Sequence, residues 1–421
     1  MRLFAILFLL LATVNANKIP RASNIGAILH VTDIHYDIEY YPGSPDNCVI
    51  GTKTGMGCCR QYEIPLEPYH PCSKWGNFNC DNSILMVQKI FNWIRQHGPK
   101  LDYIFYTGDS PGHHLITQSV KRNLESINRI GQIIDYNFPS TPLFQALGNH
   151  DTYPIDQTPD FTYDTILNNV STLWAKWLTN EGKRNARLGG YYSIDLAKNL
   201  KLIAFNSVFY DTNNIFRVKN DSDDRRTGFQ FTWLENELQE ARLSSQKIIM
   251  LNHISPGSGE ADSYYTKRLV KLLANYQDLI VLPAYGHTHE DRFILFNNAG
   301  KFTGHTLVPG SLMTSNHDPD FRIYLYDRDT WDIIDYMQYS CSLQKTIIND
   351  RVMCNNTYNF TTEYNLPNIG LNSMVNIYNK LLRNDTDIVY KYIKHYWPGV
   401  NQSWCDKNCL YSYTSEMVVT V

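Results

Sequence analysis

The chain has 421 residues, of which 43 % are hydrophobic and 19 % are charged, as in an ordinary globular protein. This composition excludes a disordered, collagen-like or coiled-coil chain. Lysine and arginine number 38 against 41 aspartates and glutamates, and the net charge of −3 gives no broad basic surface. We therefore expect no nucleic-acid polymer as a partner, because such binding depends on many phosphate contacts.

The amino terminus predicts a cleaved signal peptide over residues 1–16. Arg2 precedes an apolar run over 3–14, and a small-residue cleavage pattern follows it. The run is shorter than the roughly 18 apolar residues of a membrane-spanning helix. We expect no transmembrane segment and a secreted, extracellular mature protein, with lysosomal residence as the alternative.

The cysteines and the glycosylation sequons also fit passage through the secretory pathway. The nine cysteines predict disulfides rather than a thiolate metal site, because adjacent Cys58 and Cys59 do not have zinc-finger spacing. Because nine is an odd number, one cysteine stays unpaired, and we predict that it is Cys72. Cys341 and Cys354 are a further candidate pair. Six sequons predict N-linked glycans at some of Asn169, Asn220, Asn355, Asn359, Asn384 and Asn401.

Short apolar runs bounded by breakers alternate with amphipathic stretches along the chain. The runs predict strands over 25–32, 101–107, 142–147, 200–207, 247–252 and 279–285. The amphipathic stretches predict helices over 83–97, 124–137 and 233–244. The first follows a capping-type Asp81-Asn82 pair, and a capping box at Thr232 opens the third. This alternation predicts an α/β fold.

The composition changes at about residue 340, where tyrosine and asparagine become frequent. Two helices are predicted beyond that point, over 373–383 and 388–395. We therefore expect a catalytic domain over 17–340 and a small helical subdomain over 341–421.

Polar motifs stand where the predicted strands end. Because the carboxyl ends of strands in an α/β sheet meet at one edge, we expect these motifs to converge. Asp-x-His arises readily by chance in a chain of this length, whereas an intact Gly-Asn-His-Asp does not. The order of the motifs carries the argument: Asp33-Ile34-His35, Gly108-Asp109, Gly148-Asn149-His150-Asp151, His253 and Gly286-His287-Thr288-His289.

Imidazole, carboxylate and amide donors without thiolate suit zinc, manganese or iron, and one carboxylate can bridge two ions. We predict that Asp33, His35 and His289 hold one ion. Asn149, His253 and His287 would hold the other, with Asp109 between the two ions. His287 and His289 alternate along a segment taken as extended, so they should face different ions. The alternative is that these are turn residues whose side chains hydrogen-bond backbone groups. It explains one such residue at a time but not all seven together.

In this order the motifs resemble those of the calcineurin-like metallophosphoesterases, over about 25–326. The run 33–37, the cysteine cluster 48–80 and the run 108–113 resemble the acid sphingomyelinase-like phosphodiesterases more specifically. This resemblance implies a central β-sandwich flanked by helices, two zinc ions and a small helical carboxyl-terminal subdomain. It also implies the disulfides Cys48–Cys58, Cys59–Cys80 and Cys405–Cys409.

The resemblance further implies hydrolysis of a phosphodiester, with two ions that neutralise the phosphoryl oxygens and activate the attacking water. His150 and His113 would contact the phosphate and protonate the leaving group, and Asp151 would orient the His150 ring.

We expect a soluble phosphodiester or nucleotide as substrate. Acid sphingomyelinase has a saposin-type helical module before its catalytic domain, which draws lipid from a membrane, and residues 17–32 leave no room for such a module before Asp33. Sphingomyelin, bound by its head group, is the alternative. A lipid surface could be met by Trp93, Trp174 and Trp177, although core packing is the favoured use of these residues. An inactive secreted binding protein is a remote third alternative, since no ligand is missing.

Overall fold

Two β-sheets form the centre of the molecule in the computed structural model, which describes residues 24–49, 56–113, 117–158, 164–217, 227–399 and 405–421. The strands, numbered in chain order, are β1 Ile25–Val31, β2 Tyr103–Tyr106, β3 Leu143–Gln145, β4 Tyr192–Ala197, β5 Leu200–Ala204, β6 Lys247–Leu251, β7 Ile280–Ala284, β8 Asp291–Asn298, β9 Lys301–Pro309, β10 Asp320–Asp327, β11 Ile333–Cys341, β12 Cys354–Asn359 and β13 Val418–Thr420.

The strand order is β12-β11-β10-β1-β2-β3 in one sheet and β13-β8-β9-β7-β6-β5-β4 in the other. β1, β2 and β3 are parallel, as are β5, β6 and β7. The carboxyl ends of the parallel strands in each sheet therefore lie at one edge of that sheet.

Eleven α-helices lie within the described part of the chain. They are α1 Ile84–His97, α2 Val120–Asn137, α3 Thr165–Leu173, α4 Asn180–Gly189, α5 Thr227–Leu243, α6 Ser263–Ala274, α7 Leu343–Asn349, α8 Phe360–Tyr364, α9 Leu371–Leu382, α10 Thr386–Tyr396 and α11 Lys407–Glu416.

Alternate residues of the parallel strands enter different cores. Ile28 of β1 packs into a core that both sheets share, whereas Leu29 packs into a second core with Ile90 of α1 and Ile130 of α2. A third core joins the outer face of the other sheet to α5 and α6. Because both faces are covered, these strands appear in sequence as continuous apolar runs. The predicted β-sandwich flanked by helices is confirmed.

The six predicted strands are all present, with ends that differ by at most three residues. Two predicted helix caps are wrong, and α2 begins at Val120, four residues before its predicted start. α1 is capped by Ser83, whose side chain accepts from the Leu85 N–H, while the Asn82 amide donates to two loop carbonyls. α5 begins at Thr227, so Thr232 lies inside the helix and forms no capping box.

The segment after residue 340 contains the two predicted helices, here α9 and α10. It also adds β12 to the edge of one sheet and β13 to the edge of the other. Met374 and Ile377 of α9 pack into the core that the two sheets share. The division of the chain at residue 340 stays a prediction.

Three disulfides are unambiguous: Cys48–Cys58, Cys341–Cys354 and Cys405–Cys409. The Cys59 sulfur lies within bonding distance of both Cys72 and Cys80. One sulfur forms one disulfide, so these two pairings are alternatives. The leftover thiol at Cys72 therefore stays a prediction.

The predicted signal peptide and the sequons at Asn220 and Asn401 lie outside the described residues. Within the described ranges, no helix has the length and apolar character needed to cross a bilayer. The sequon asparagines Asn355 and Asn384 are exposed.

Candidate metal centre

The seven predicted ligands lie on loops that follow five of the parallel strands. Asp33 and His35 follow β1, and Asp109 follows β2. The remaining four follow β3, β6 and β7: Asn149, His253, His287 and His289. The carboxyl ends of the parallel strands in both sheets therefore bring all seven candidate ligands close together.

The first predicted group is compact. The Nε2 atoms of His35 and His289 lie 3.0 Å apart. Asp33 Oδ1 lies 3.4 Å from Nε2 of His289 and 3.9 Å from Nε2 of His35. Asp33 and His35 are fully buried, whereas the His289 side chain is 17 % exposed. Their donor atoms therefore converge at the inner end of a cleft.

The second predicted group lies beside the first. Asn149 Oδ1 lies 2.8 Å from His253 Nε2 and 3.1 Å from His287 Nδ1. Asp109 Oδ2 lies 3.2 Å from His253 Nε2 and 3.6 Å from His35 Nε2. One carboxylate oxygen of Asp109 is therefore within reach of both groups.

Backbone carbonyls orient two of the rings. His35 Nδ1 lies 3.0 Å from the Pro111 carbonyl oxygen, and His253 Nδ1 lies 2.6 Å from that of Thr107. A carbonyl oxygen only accepts, so each Nδ1 carries the proton in the neutral ring. This leaves both Nε2 lone pairs directed into the cleft.

Carboxylates orient two further donors of the second group. Glu260 Oε2 lies 2.9 Å from His287 Nε2, so the Nδ1 of this ring faces Asn149. The Asn149 amide nitrogen donates to Asp156 Oδ1 at 2.8 Å, which turns Asn149 Oδ1 inward. Hydrogen bonds of this kind fix the orientation of metal ligands.

Five of the seven candidate ligands have left-handed backbone conformations: Asp33 (φ 49°), His35 (φ 44°), Asp109 (φ 62°), His287 (φ 77°) and His289 (φ 65°). Such conformations cost about 1–3 kcal/mol each and cluster at functional sites. They also correct one prediction, because the segment around His287 and His289 is not extended. The two rings still face different groups, since the left-handed residues turn the chain between them.

Two motif glycines are required by close contacts. A Cβ on Gly148 would lie 2.1 Å from Asp109 Oδ1. A Cβ on Gly286 would lie 2.1 Å from Thr32 Oγ1 and 2.9 Å from Asp33 Oδ2. No side chain fits at either position unless the Asp33 or Asp109 loop moves.

Two further histidines line the cleft beside the first group. The His113 ring stacks on the His35 ring with 4.0 Å between centroids. The His150 ring lies 4.5 Å from His113 and 4.8 Å from His35. Asp81 accepts from both His113 Nδ1 and the His113 backbone N–H, each at 2.7 Å.

These surroundings shift the pKa values of His113 and His150 in opposite directions. Burial lowers the pKa of His113, but the Asp81 carboxylate outweighs it and the net pKa is raised. Burial lowers the pKa of His150 to about 4. Burial also opposes protonation of His253, yet the carboxylates of Asp109 and Asp33 raise its pKa to about 10.

The prediction that Asp151 orients the His150 ring is wrong. The Asp151 carboxylate accepts instead from the backbone N–H groups of Asp109, Ser110 and Gly148, at 2.9–3.0 Å. Nδ1 of His150 is buried and has no hydrogen-bond partner within the described residues. Asp151 therefore ties together the loops after β2 and β3, which carry Asp109 and Asn149.

Residues 26–291 match the family model described as calcineurin-like phosphoesterase. The chain belongs to this family. Members of the calcineurin-like phosphoesterase family use a dinuclear metal centre. The donor chemistry of this chain fits such a centre, because imidazole nitrogens and carboxylate and amide oxygens converge from two sides on Asp109.

Three curated relatives of this phosphoesterase are similar along most of its length. Sphingomyelin phosphodiesterases A and B of Dictyostelium discoideum are each 28 % identical to it, over 93 % and 82 % of this chain. The matches cover 66 % and 55 % of those relatives, so the chain spans about two thirds or less of their length.

The third relative, cyclic GMP-AMP phosphodiesterase SMPDL3A of Homo sapiens, is 26 % identical over 91 % of this chain and 86 % of its own length. The predicted resemblance to the acid sphingomyelinase-like phosphodiesterases is confirmed.

Three acidic residues of the site in this phosphoesterase were not predicted from the sequence. Each of them contacts a candidate site residue that is not its neighbour in sequence. The pairs are Asp81 with His113, Asp156 with Asn149, and Glu260 with His287. Asp81 was assigned to a helix cap, and no local pattern distinguishes the other two among the 41 acidic residues of the chain.

Proposed function

We propose that the chain hydrolyses phosphodiesters at a centre of two zinc ions. The observation that carries the proposal is the position of Asp109 Oδ2, within 3.6 Å of His35 Nε2 on one side and 3.2 Å of His253 Nε2 on the other. A single carboxylate oxygen between two groups of imidazole nitrogens suits a bridge between two ions. Asp33, His35 and His289 would hold one ion, and Asn149, His253 and His287 the other.

Zinc is the metal that we favour, because four of the seven donors are imidazole nitrogens and none is a thiolate. When bound, the two ions supply positive charge for the phosphoryl oxygens and make the attacking water more acidic. The buried cleft adds to this effect, since it lowers the local dielectric constant.

His113 and His150 divide the work on the substrate. Asp81 accepts from His113 Nδ1, and this contact stabilises the imidazolium form of the ring. His113 is therefore the donor that we assign to the leaving alcohol. His150, whose Nδ1 has no partner in the described structure, is assigned to contact with the phosphoryl group.

A soluble substrate is the preferred class. Trp174 is buried in the shared core, and Trp93 packs against Phe321 and Tyr339. Trp174 is therefore not available to a lipid surface, and Trp93 is only partly exposed. The human relative named as a cyclic GMP-AMP phosphodiesterase also supports nucleotide chemistry, while sphingomyelin is the substrate named for the Dictyostelium relatives.

The test combines metal analysis with a substrate panel. The purified full chain is expected to contain two zinc equivalents and to cleave bis(4-nitrophenyl) phosphate, ATP, CDP-choline or cyclic GMP-AMP. Phosphocholine release from sphingomyelin micelles should be much slower. A metal-free protein that is inactive after zinc is added would overturn the proposal. Sphingomyelin cleavage at the rate of the soluble esters would overturn only the substrate class.

Secretion with N-glycosylation is part of the proposal. Disulfides such as Cys48–Cys58 are typical of oxidising compartments, and Asn355 and Asn384 present exposed sequons. Protein secreted from a eukaryotic culture should lose apparent mass on treatment with peptide N-glycosidase. Retention inside the cells without any such change would contradict this part.

A further inference from the structure

The seven-stranded sheet opens between β7 and β9. These strands pair at one register position, Ala284 with Leu307, where the Tyr285 N–H donates to the Leu307 carbonyl. The same register would next bring the N–H of residue 283 to the carbonyl of His305. Residue 283 is proline and has no N–H, so the ladder cannot continue.

A cavity of about 390 Å³ fills the opening. It reaches Lys247 and Ile280, the first residues of β6 and β7. The candidate metal ligands His253 and His287 follow the other ends of these two strands. The cavity is therefore separate from the metal centre.

Two buried polar atoms belong to residues that line this cavity. Thr303 Oγ1 and His305 Nε2 have no hydrogen-bond partner within the described part of the chain. The His305 ring is already bonded to the backbone of Ile369, which leaves Nε2 as a lone-pair acceptor. Buried polar atoms almost always have a partner, so these two atoms leave unused hydrogen-bonding capacity beside the cavity.

The charged residues of the lining are paired, and the other residues are apolar or neutral polar ones such as Gln277 and Asn368. Val281, Phe296 and Ile333 form much of the wall. At the rim, Lys247 Nζ lies 3.9 Å from Asp332 Oδ1, and Asp278 is paired with Arg242 outside the cavity. The lining therefore offers no unpaired charge to a charged ligand.

We propose that this cavity binds a small, uncharged and largely apolar molecule, whose hydroxyl group is held by Thr303 and His305. A hydroxyl can donate to His305 Nε2 and bond the Thr303 hydroxyl at the same time. The volume lies within the range of small-molecule sites, about 300–1,000 Å³. Since a cavity of about 150 Å³ holds benzene, the space suits about fifteen non-hydrogen atoms.

Calorimetric titration of the full chain with 1-octanol tests this site. We expect saturable binding of one equivalent, and binding of octanoate at least tenfold weaker, because a carboxylate has no donor for His305 and no free cation to meet. Thr303→Val and His305→Phe should each weaken octanol binding by about two- to tenfold. Val281→Trp, which fills the cavity, should abolish it.

Matched controls separate this site from the metal centre. Thr165→Val makes the same chemical change at an exposed helix position and should bind octanol like the wild type. Asp109→Asn should also retain octanol binding, whereas Thr303→Val should retain phosphodiester hydrolysis. The proposal is overturned if no saturable binding occurs, if octanoate binds as tightly, or if folded Thr303→Val and Val281→Trp both bind octanol like the wild type.

Discussion

Replacing Asp81 by asparagine is expected to slow phosphodiester hydrolysis without removing metal. Both Asp81 oxygens accept from His113, one from ring Nδ1 and one from the backbone N–H, each at 2.7 Å. Asparagine keeps the shape of the side chain, but its amide nitrogen replaces one acceptor by a donor. One hydrogen bond to a charged acceptor is lost, and such bonds contribute about 1.5–3 kcal/mol.

The expected loss in rate follows from this energy. If the bond stabilises the protonated His113 ring in the transition state, kcat falls by about 10- to 160-fold, since about 1.36 kcal/mol corresponds to a factor of ten. The loss should be larger for an alkyl leaving group than for nitrophenolate, because a good leaving group needs less protonation. Zinc content should not change, as Asp81 hydrogen-bonds none of the seven candidate ligands in the described structure.

The assay compares wild type, Asp81→Asn, His113→Ala and the double variant. Their kcat values are measured with bis(4-nitrophenyl) phosphate and with cyclic GMP-AMP, whose leaving group is a ribose hydroxyl. The double variant should be no slower than His113→Ala, because Asp81 acts through that ring. Asp385→Asn, at the cap of α10, is the control. A wild-type rate for Asp81→Asn with cyclic GMP-AMP, or a further loss in the double variant, would refute this role.

Four other changes have defined outcomes. Asp109→Asn should lose zinc and activity together in metal analysis and rate assays, and a fully active variant would contradict the bridging role. His150→Ala should lower kcat by about 100-fold while zinc content is kept, because a contact to the phosphoryl group is removed. Glu260→Gln should weaken zinc affinity about 10- to 100-fold in competition with a chelator, since His287 loses its carboxylate partner. Burial lowers the pKa of His317 from 6.5 to about 4. The unfolded chain then binds the extra proton below pH 6.5, so the unfolding free energy should fall by up to about 1.4 kcal/mol per pH unit between pH 6.5 and 4. Thermal denaturation of His317→Gln should show a shallower pH dependence than the wild type.

The part of the fold that could be predicted is the part whose strands are covered on both faces. Such strands appear in sequence as continuous apolar runs. The six predicted strands are the parallel strands β1 to β3 of one sheet and β5 to β7 of the other. Most of the antiparallel strands are interrupted by polar residues, and the sequence pattern did not predict them. Arg322 in the middle of β10 is fully buried, and its charge is balanced by Asp291 of β8 at 2.5 Å. Nothing near Arg322 in the sequence indicates that partner.

The candidate site also has a part that could be predicted from the sequence and a part that could not. All seven candidate ligands stand in short motifs directly after strands, so their convergence could be inferred from the sheet rule alone. The acidic residues behind them could not, because Glu260 meets His287 and Asp81 meets His113 only after the chain has folded. Asp151 was identified from its motif but assigned the wrong contact. A carboxylate next to a histidine in sequence is not thereby next to it in space.

The contacts of Asp151 give a physical reason for the complete Gly-Asn-His-Asp motif. Gly148 has no side chain because Asp109 Oδ1 occupies the space where its Cβ would lie. Asp151 then accepts from the backbone of Gly148 and of Asp109, so that two loops from neighbouring strands share one buried carboxylate. Loss of this carboxylate would leave buried N–H groups without partners, at about 1–3 kcal/mol each. The motif therefore has two roles, since it supplies a candidate ligand in Asn149 and fixes the loop of Asp109, the proposed bridge, beside the second group.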